Sequence, residues 1–278
     1  MKLLSGCLAS ISVGLLATIS TTLNNVHVHA LSRQEVDDFI ERGWTVLRRA
    51  FSRDVAEAVI DALSRECVCD LRDPNAWTTH SIWIKKTYSG SPWMDAVTPR
   101  FAAAMDQLAG VNRWEPLTEM GWWAIRFPGF DDPPYGDDWH VEGNFPHRLT
   151  SPEQAVLNLF LFTDLEPGGG ATLLAEGSHH RAAQILGGVS PSALEVDDLT
   201  DQVVRSPGVF DSVVEACAQA GDVILAHPLI LHSSSHNHGT RPRVMAQPRT
   251  DFIAPKLFKG PNLSPVEIVL ARTDHSCR

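Results

Sequence analysis

The stretch that decides the fold runs from Gly221 to His232 and reads Gly-Asp-Val-Ile-Leu-Ala-His-Pro-Leu-Ile-Leu-His. Its first two residues are turn formers, and the almost wholly apolar run that follows is typical of a buried strand. We predict a strand from Val223 to His232 and a partner strand from Val244 to Gln247. The polar segment between them, 233–240, predicts a tight loop that turns the chain back.

Outward from this pair, the chain from Gly121 onward consists of short apolar runs separated by glycine, proline and aspartate. These runs predict further strands at Trp122–Phe127, Val156–Thr163 and Ala171–Leu174. Many short strands punctuated by turns indicate a β-sandwich or a jelly roll. The more polar stretch from 181 to 220 predicts an inserted helix with loops.

The first part of the folded sequence is mainly helical instead. Ser32 and Glu35 form a capping box, which predicts a helix that ends at Gly43. Helices are predicted over 32–43, 52–66 and 99–108, with a strand over Trp44–Leu47 after the first. We treat residues 31–278 as one domain, with a helical N-terminal part (31–115) and a jelly-roll core (116–278).

Composition and charge limit the classes of partner. The 278 residues are 44% hydrophobic and 20% charged, values close to those of an ordinary globular domain. The formal net charge of −10 argues against nucleic acid and against an anionic membrane surface as partners. We expect a small-molecule substrate, and a monomer is favoured.

The N-terminal segment 1–30 has the pattern of a targeting signal. Lys2 is its only charged residue, Leu3–Ser20 is mostly apolar, and Val28-His29-Ala30 ends with a small residue. We predict cleavage after Ala30 and a location in the secretory pathway or outside the cell, with an organelle or the cytoplasm as alternatives. The apolar run is short for a membrane span, and no later stretch predicts one.

Four cysteines would remain in the mature chain: Cys67, Cys69, Cys217 and Cys277. An exported protein permits disulfides, but Cys67 and Cys69 are too close in sequence for an easy mutual bridge. The spacing also lacks a second Cys pair for a zinc site. We interpret the four as structural or free, with the pairing open.

A candidate metal motif is His140-Val141-Glu142. Residues i and i+2 of a strand point to the same face, so the imidazole and the carboxylate would lie side by side. A second imidazole would complete a facial triad of two histidines and one carboxylate, the usual site of non-haem Fe(II) oxygenases.

Several histidines compete for the second imidazole. His232 ends the apolar run, at the mouth of the predicted strand, while His227 is separated from it by an odd number of residues and would face the other side. His236 and His238 fall in the polar loop, a poorer platform for ligation. His147 is expected in a loop near the site. The strand pattern therefore favours His232.

The chain resembles the phytanoyl-CoA dioxygenase family of Fe(II)/2-oxoglutarate oxygenases. The matching pieces occur in family order over nearly the whole mature chain: Trp139–Gly143, Gly168–Thr172, Glu176–His179, Gly221–Val223, His227, His232 and Arg241–Arg243. The family more often has aspartate where Glu142 stands, and proline where Glu176 stands. The presence of a carboxylate at 142 favours hydroxylation or desaturation over halogenation, since related halogenases lack it.

The resemblance implies a double-stranded β-helix (a cupin-like jelly roll) with N-terminal and flanking helices. It implies Fe(II) held by His140, Glu142 and His232 as catalytic metal ligands, with 2-oxoglutarate as cosubstrate and O2 as oxidant. Arg243 would bind the far carboxylate of 2-oxoglutarate, because a guanidinium is a planar, permanently charged, bidentate donor. Further contacts to the cosubstrate are assigned to Ser234, Thr172 and Lys85.

The function that this implies is hydroxylation or desaturation of an aliphatic C–H bond in a small organic or lipid-like substrate, with release of succinate and CO2. One alternative is a cupin-type metal-dependent hydrolase that uses the same ligands and a bound water. A non-catalytic metal- or ligand-binding protein of the same fold is the other. The position of Arg243 argues against the hydrolase.

Overall fold

The computed structural model describes residues 29–66, 69–130 and 138–273. Residues 1–28 of the predicted targeting segment, and also Cys67 and Cys277, lie outside this range. Cys69 and Cys217 are described and form no disulfide. Across the described ranges, no helix has the length and apolar character that a membrane crossing requires.

The described residues form helices and strands in an order that matches an N-terminal helical layer followed by a β core. The helices are α1 (Arg33–Arg42), α2 (Arg53–Glu66), α3 (Pro99–Ala109), α4 (Ser178–Val189), α5 (Val196–Val204) and α6 (Pro265–Ala271). The strands are β1 (Trp44–Leu47), β2 (Ser81–Ile84), β3 (Trp123–Arg126), β4 (Leu157–Leu161), β5 (Leu173–Ala175), β6 (Val213–Glu215), β7 (Val223–Ala226), β8 (His232–Ser233) and β9 (Arg243–Ala246).

The strands form two antiparallel sheets that share a buried apolar interior. The major sheet has the order β1-β7-β4-β9-β3-β2, and the minor sheet has the order β6-β5-β8. Leu159, Ile224 and Met245 from the major sheet pack in one cluster with Leu174 from the minor sheet. The fold is therefore a double-stranded β-helix, as the sequence predicted.

The outer face of the major sheet is covered by the N-terminal helices. Alternate residues of the strands, such as Phe160 and Trp123, are fully buried against α2 and α3. The rings of Phe101 on α3 and Phe160 on β4 lie 4.9 Å apart between centroids. Because side chains alternate across a strand, the other set of residues faces the interior.

The predicted helix signals are confirmed in detail. Ser32 and Glu35 form the reciprocal capping box of α1, and Gly43 ends that helix with a left-handed φ of 94°. A Cβ at Gly43 would lie 2.6 Å from Nδ1 of His179, so the close approach of α4 also requires glycine there.

The prediction of one strand from Val223 to His232 is wrong. β7 ends at Ala226, and the chain turns so that the Ile230 N–H donates to the His227 carbonyl at 3.0 Å. Pro228 has no N–H to give to a sheet, which explains the break. As a consequence β8 belongs to the minor sheet and β9 to the major sheet, so Arg243 does not lie one strand over from His232.

The segment predicted as the helical N-terminal part also contributes to the major sheet. β1 was predicted and forms one edge, paired with β7. β2 was not predicted and forms the other edge, where Ser81 lies opposite Arg126. The run 81–84 has only four residues, which is too short for its pattern to distinguish a strand from a loop.

Candidate metal centre and active-site cavity

His140 and His232 lie directly opposite each other in a local antiparallel bridge. The His140 N–H donates to the His232 carbonyl at 2.9 Å, and the His232 N–H donates to the His140 carbonyl at 3.0 Å. The two ring centroids are 4.2 Å apart. The backbone pairing therefore places both imidazoles side by side at the edge of the minor sheet.

Each imidazole is oriented by a backbone carbonyl. His140 Nδ1 lies 2.7 Å from the carbonyl oxygen of Asp138, and His232 Nδ1 lies 3.1 Å from that of Ile230. A carbonyl only accepts, so each Nδ1 carries the proton and each Nε2 keeps a free lone pair. This is the usual arrangement around metal-binding histidines.

The carboxylate of Glu142 lies next to both rings. One of its oxygens is 3.5 Å from His232 Nε2, and one ligand atom from each of His140, Glu142 and His232 lies within 4.8 Å of the other two. The Gly143 N–H donates to Oε1 at 3.1 Å, and the Gln247 amide donates to Oε2. Two imidazole nitrogens and a carboxylate oxygen are a donor set that fits Fe(II).

The protonation states also suit a metal. Desolvation of the ring and the neighbouring His232 lower the pKa of His140. Desolvation would raise the pKa of Glu142, but its interactions with His232 and His140 and the hydrogen bond from Gln247 outweigh this effect, and the net pKa lies below the usual value. Metal ligation requires neutral imidazoles and an ionised carboxylate. The lowered pKa of His140 favours the first, and the lowered pKa of Glu142 favours the second.

Arg243 approaches the interior from the major sheet. It is 3% exposed, and its Nη1 donates to the Gly170 carbonyl at 3.0 Å. It shares a strand face with Met245, which packs in the interior, and with Gln247, which contacts Glu142. The side chain of Arg243 therefore enters the same interior as the metal ligands.

A second buried arginine lies directly opposite it. Arg126 on β3 pairs with Arg243 on β9, is also 3% exposed, and donates from Nη1 to the Ser235 carbonyl at 2.6 Å. Two guanidinium groups therefore lie next to each other in this part of the interior. Arg126 was not predicted as a site residue, because its place beside Arg243 depends on the pairing of β3 with β9.

The three further residues assigned to the cosubstrate are in different environments. Thr172 is buried and lies midway along the chain between Gly170, which accepts from Arg243, and Leu174, which pairs with His232. The hydroxyl of Ser234 donates to Asp138 at 2.5 Å. Thr172 therefore lies between the residue that contacts Arg243 and the residue that pairs with His232, whereas the Ser234 hydroxyl is occupied by its hydrogen bond to Asp138.

Lys85 lies at the opposite end of the sheet from Arg243. β2 pairs with β3 so that Ser81 is level with Arg126, and Lys85 follows the far end of β2. Its Nζ is 5.7 Å from the centroid of the Trp122 ring. The structure does not bring Lys85 to Arg243.

A cavity of about 540 Å³ opens at the metal ligands, a size within the usual range for small-molecule sites of roughly 300–1,000 Å³. Its lining combines the metal motif with aromatic and polar side chains, including Trp83, Trp122, Phe145, Asn144, Gln154, Asp197, Gln247 and Arg249. Trp83 and Trp122 are 52% and 45% exposed. Large aromatic side chains left open at a cavity are typical of a binding surface.

Trp122 also has an uncommon backbone conformation, with a φ of 56°. A positive φ is costly for a bulky residue, and such residues concentrate at functional sites. It directly precedes β3 and lies on the cavity wall. Trp122 was predicted only as part of a strand, and the structure adds it to the candidate site.

Two buried histidines outside this cluster, His227 and His179, have backbone carbonyls as partners. His227 Nε2 lies 3.2 Å from the Val266 carbonyl on α6, and His179 Nε2 lies 2.9 Å from the Ile40 carbonyl on α1. Both are fully buried. Burial lowers the pKa of His227 to about 3, which is consistent with a neutral core residue.

Comparison with known proteins gives the same picture at the level of family and fold. The family model of phytanoyl-CoA dioxygenase (PhyH) matches residues 17–245. No curated protein sequence matches the chain significantly. Solved structures with a similar fold include EctD from S. alaskensis with 2-oxoglutarate and 5-hydroxyectoine (20% identity, TM-score 0.52, covering 83% of this chain and 79% of that one). They also include HygX from Streptomyces hygroscopicus with nickel and 2-oxoglutarate (17% identity, TM-score 0.51, 80% and 87% covered).

Proposed function

Because this chain belongs to the phytanoyl-CoA dioxygenase family, we propose that it hydroxylates or desaturates an aliphatic C–H bond of a small organic or lipid-like substrate, with conversion of 2-oxoglutarate to succinate and CO2. The chain is an Fe(II)- and 2-oxoglutarate-dependent oxygenase by family. The observation that carries the proposal is the cluster of His140, Glu142 and His232, of which His140 and Glu142 line an open cavity, with Arg243 buried in the same interior.

The three candidate ligands and Arg243 would have different roles. His140, Glu142 and His232 would hold Fe(II). When loaded, the metal with 2-oxoglutarate and O2 supplies the oxidising chemistry. Arg243 would bind the far carboxylate of 2-oxoglutarate in a dry environment, where a charged bidentate contact is strong.

The cavity supports a substrate that is organic and of modest size. Trp83, Trp122 and Phe145 offer apolar faces, and Asn144 and Gln247 offer amides beside the metal motif. Such a mixture holds an apolar body and orients it through a few polar contacts. The reacting C–H bond of the substrate would have to lie in the cavity beside His140 and Glu142.

The test is succinate formation by the purified protein with Fe(II), 2-oxoglutarate and a panel of small metabolites and lipids. A substrate that stimulates succinate release and gains one oxygen, or loses two hydrogens, supports the proposal. The His232→Ala variant serves as the inactive control. Metal-dependent hydrolysis of an ester or amide, without any 2-oxoglutarate binding, would instead support the hydrolase.

A further inference from the structure

One acidic residue, Asp138, connects the two segments that carry the candidate histidine ligands. Asp138 lies two residues before His140, and its carboxylate reaches the residues that follow His232. The Ser234 N–H donates to Oδ1 at 3.1 Å, the Ser234 hydroxyl donates to Oδ2 at 2.5 Å, and the Ser233 hydroxyl also donates to Oδ1. Three donors therefore converge on one carboxylate.

The main chain of the same residue holds the first ligand. The Asp138 carbonyl accepts the hydrogen bond from His140 Nδ1 at 2.7 Å. This bond determines which ring nitrogen faces the metal and how the ring is turned. The side chain of Asp138 is anchored to one ligand-bearing segment while its carbonyl orients the ligand on the other.

We propose that Asp138 is a positioning residue that fixes the imidazole of His140 relative to His232 before the metal binds. The inference rests on the proposed function, since it concerns the same metal centre. It also gives Ser234 a role different from the cosubstrate contact predicted from the sequence: Ser234 acts through Asp138.

The chemistry of a carboxylate suits this task better than that of an amide. An ionised aspartate accepts on both oxygens, whereas asparagine has one accepting oxygen and would set its NH2 group against a serine hydroxyl. Hydrogen bonds to an ionised acceptor are also stronger than neutral ones. Asp138 is exposed, but two serine hydroxyls and one backbone N–H surround it on the protein side.

The experiment uses the full chain without metal and measures Co(II) affinity by competition with a chromogenic chelator. Asp138→Ala should weaken Co(II) binding roughly tenfold to a hundredfold, the range for loss of a group that orients a metal ligand. Asp138→Asn and Ser234→Ala should give smaller losses in the same direction. Asp37→Ala, on the exposed face of α1, is the matched control and should bind like the wild type.

Two further readouts separate positioning from simple damage to the fold. The thermal unfolding midpoint of the metal-free Asp138→Ala variant should stay close to that of the wild type. The visible absorption bands of bound Co(II) should change in Asp138→Ala and remain unchanged in Asp37→Ala, because they report ligand geometry. If Asp138→Ala does not fold, Asp138→Asn and Ser234→Ala carry the test.

Wild-type affinity and an unchanged Co(II) spectrum in the Asp138 and Ser234 variants would overturn the inference while leaving the metal centre intact. Failure of the wild-type protein itself to bind Co(II) would overturn the proposed function as well. A loss of affinity that appears only together with a lowered unfolding midpoint would also count against positioning.

Discussion

Gln247 donates a hydrogen bond from its side-chain amide to the carboxylate of Glu142. This contact joins the end of β9 in the major sheet to the metal motif at the edge of the minor sheet. The Gln247 backbone is itself held, because its N–H donates to the carbonyls of Gly121 and Trp122 at 3.1 Å. The position of the carboxylate ligand thus depends on both sheets.

Gln247→Leu should weaken metal binding, because the carboxylate of Glu142 loses the donor that orients it. We expect a loss of about tenfold in Co(II) affinity, the lower end of the range for such partners. The measurement is chelator competition, with Gln202→Leu at an exposed position of α5 as the control. Equal affinities for the two variants would show that the amide contact has no role in holding the ligand.

His232→Ala should abolish stoichiometric iron binding, since it removes one of the three candidate ligands. His227→Ala should retain iron, because the His227 ring lies against the Val266 carbonyl of α6 and is not part of the candidate ligand cluster. Iron content per chain, measured on protein reconstituted without oxygen, distinguishes the two. Retention of iron in His232→Ala together with loss in His227→Ala would reverse the assignment.

The metal motif was readable from the sequence, but its supports were not. His140 and Glu142 are two residues apart, so one local rule places them together, and His232 ends an apolar run that could be recognised by composition. Asp138, Arg126 and Gln247 act on residues far away in the chain. Their roles depend on which segments pair and in which register, and no local pattern contains that information.

The break in the predicted strand 223–232 illustrates the same limit. The apolar run is continuous in composition, yet its two ends enter different sheets. Pro228 was a sufficient signal for the break, because proline is confined to strand edges and ends. The direction of the chain after the break, toward the minor sheet, is set by tertiary packing against α4, where the Ser178 hydroxyl accepts from the Leu231 N–H at 2.8 Å.

Arg243→Ala should raise the KM for 2-oxoglutarate by roughly thirtyfold or more, because losing the partner of a buried charge costs about 2–5 kcal/mol. Arg241→Ala should change it little, since Arg241 is 72% exposed and lies 3.8 Å from Asp164. Calorimetric binding of 2-oxoglutarate to the metal-loaded protein provides a second measure. Similar behaviour of the two variants would argue against Arg243 as the carboxylate anchor.

Trp122→Ala should raise the KM for the organic substrate about tenfold, because the exposed ring offers a large apolar contact on the cavity wall. The KM for 2-oxoglutarate should stay unchanged, since Trp122 lies at the end of β3 opposite to Arg126. Phe210→Ala, an exposed aromatic residue outside the cavity lining, is the control. A change in cosubstrate KM without a change in substrate KM would contradict this role.

Lys256 should make the stability of the protein depend on pH in a specific window. Burial lowers the pKa of Lys256 from 10.5 to about 7, and its ammonium donates to the carbonyls of Ser151 and Glu153. Between these two values the unfolded chain binds more protons than the folded one. The free energy of unfolding should therefore rise with pH over this window, by up to about 1.4 kcal/mol per pH unit.

Lys256→Met removes this titration. The free energy of unfolding of the variant should therefore depend less on pH, whatever the effect of the substitution on absolute stability. The measurement is urea unfolding of the wild type and the variant at intervals between pH 7.5 and 9.5, roughly the middle of the window. The difference in unfolding free energy between the two proteins should grow steadily in favour of the wild type as the pH rises. Parallel curves would mean that Lys256 keeps an ordinary pKa in the folded protein, with its charge hydrated rather than desolvated.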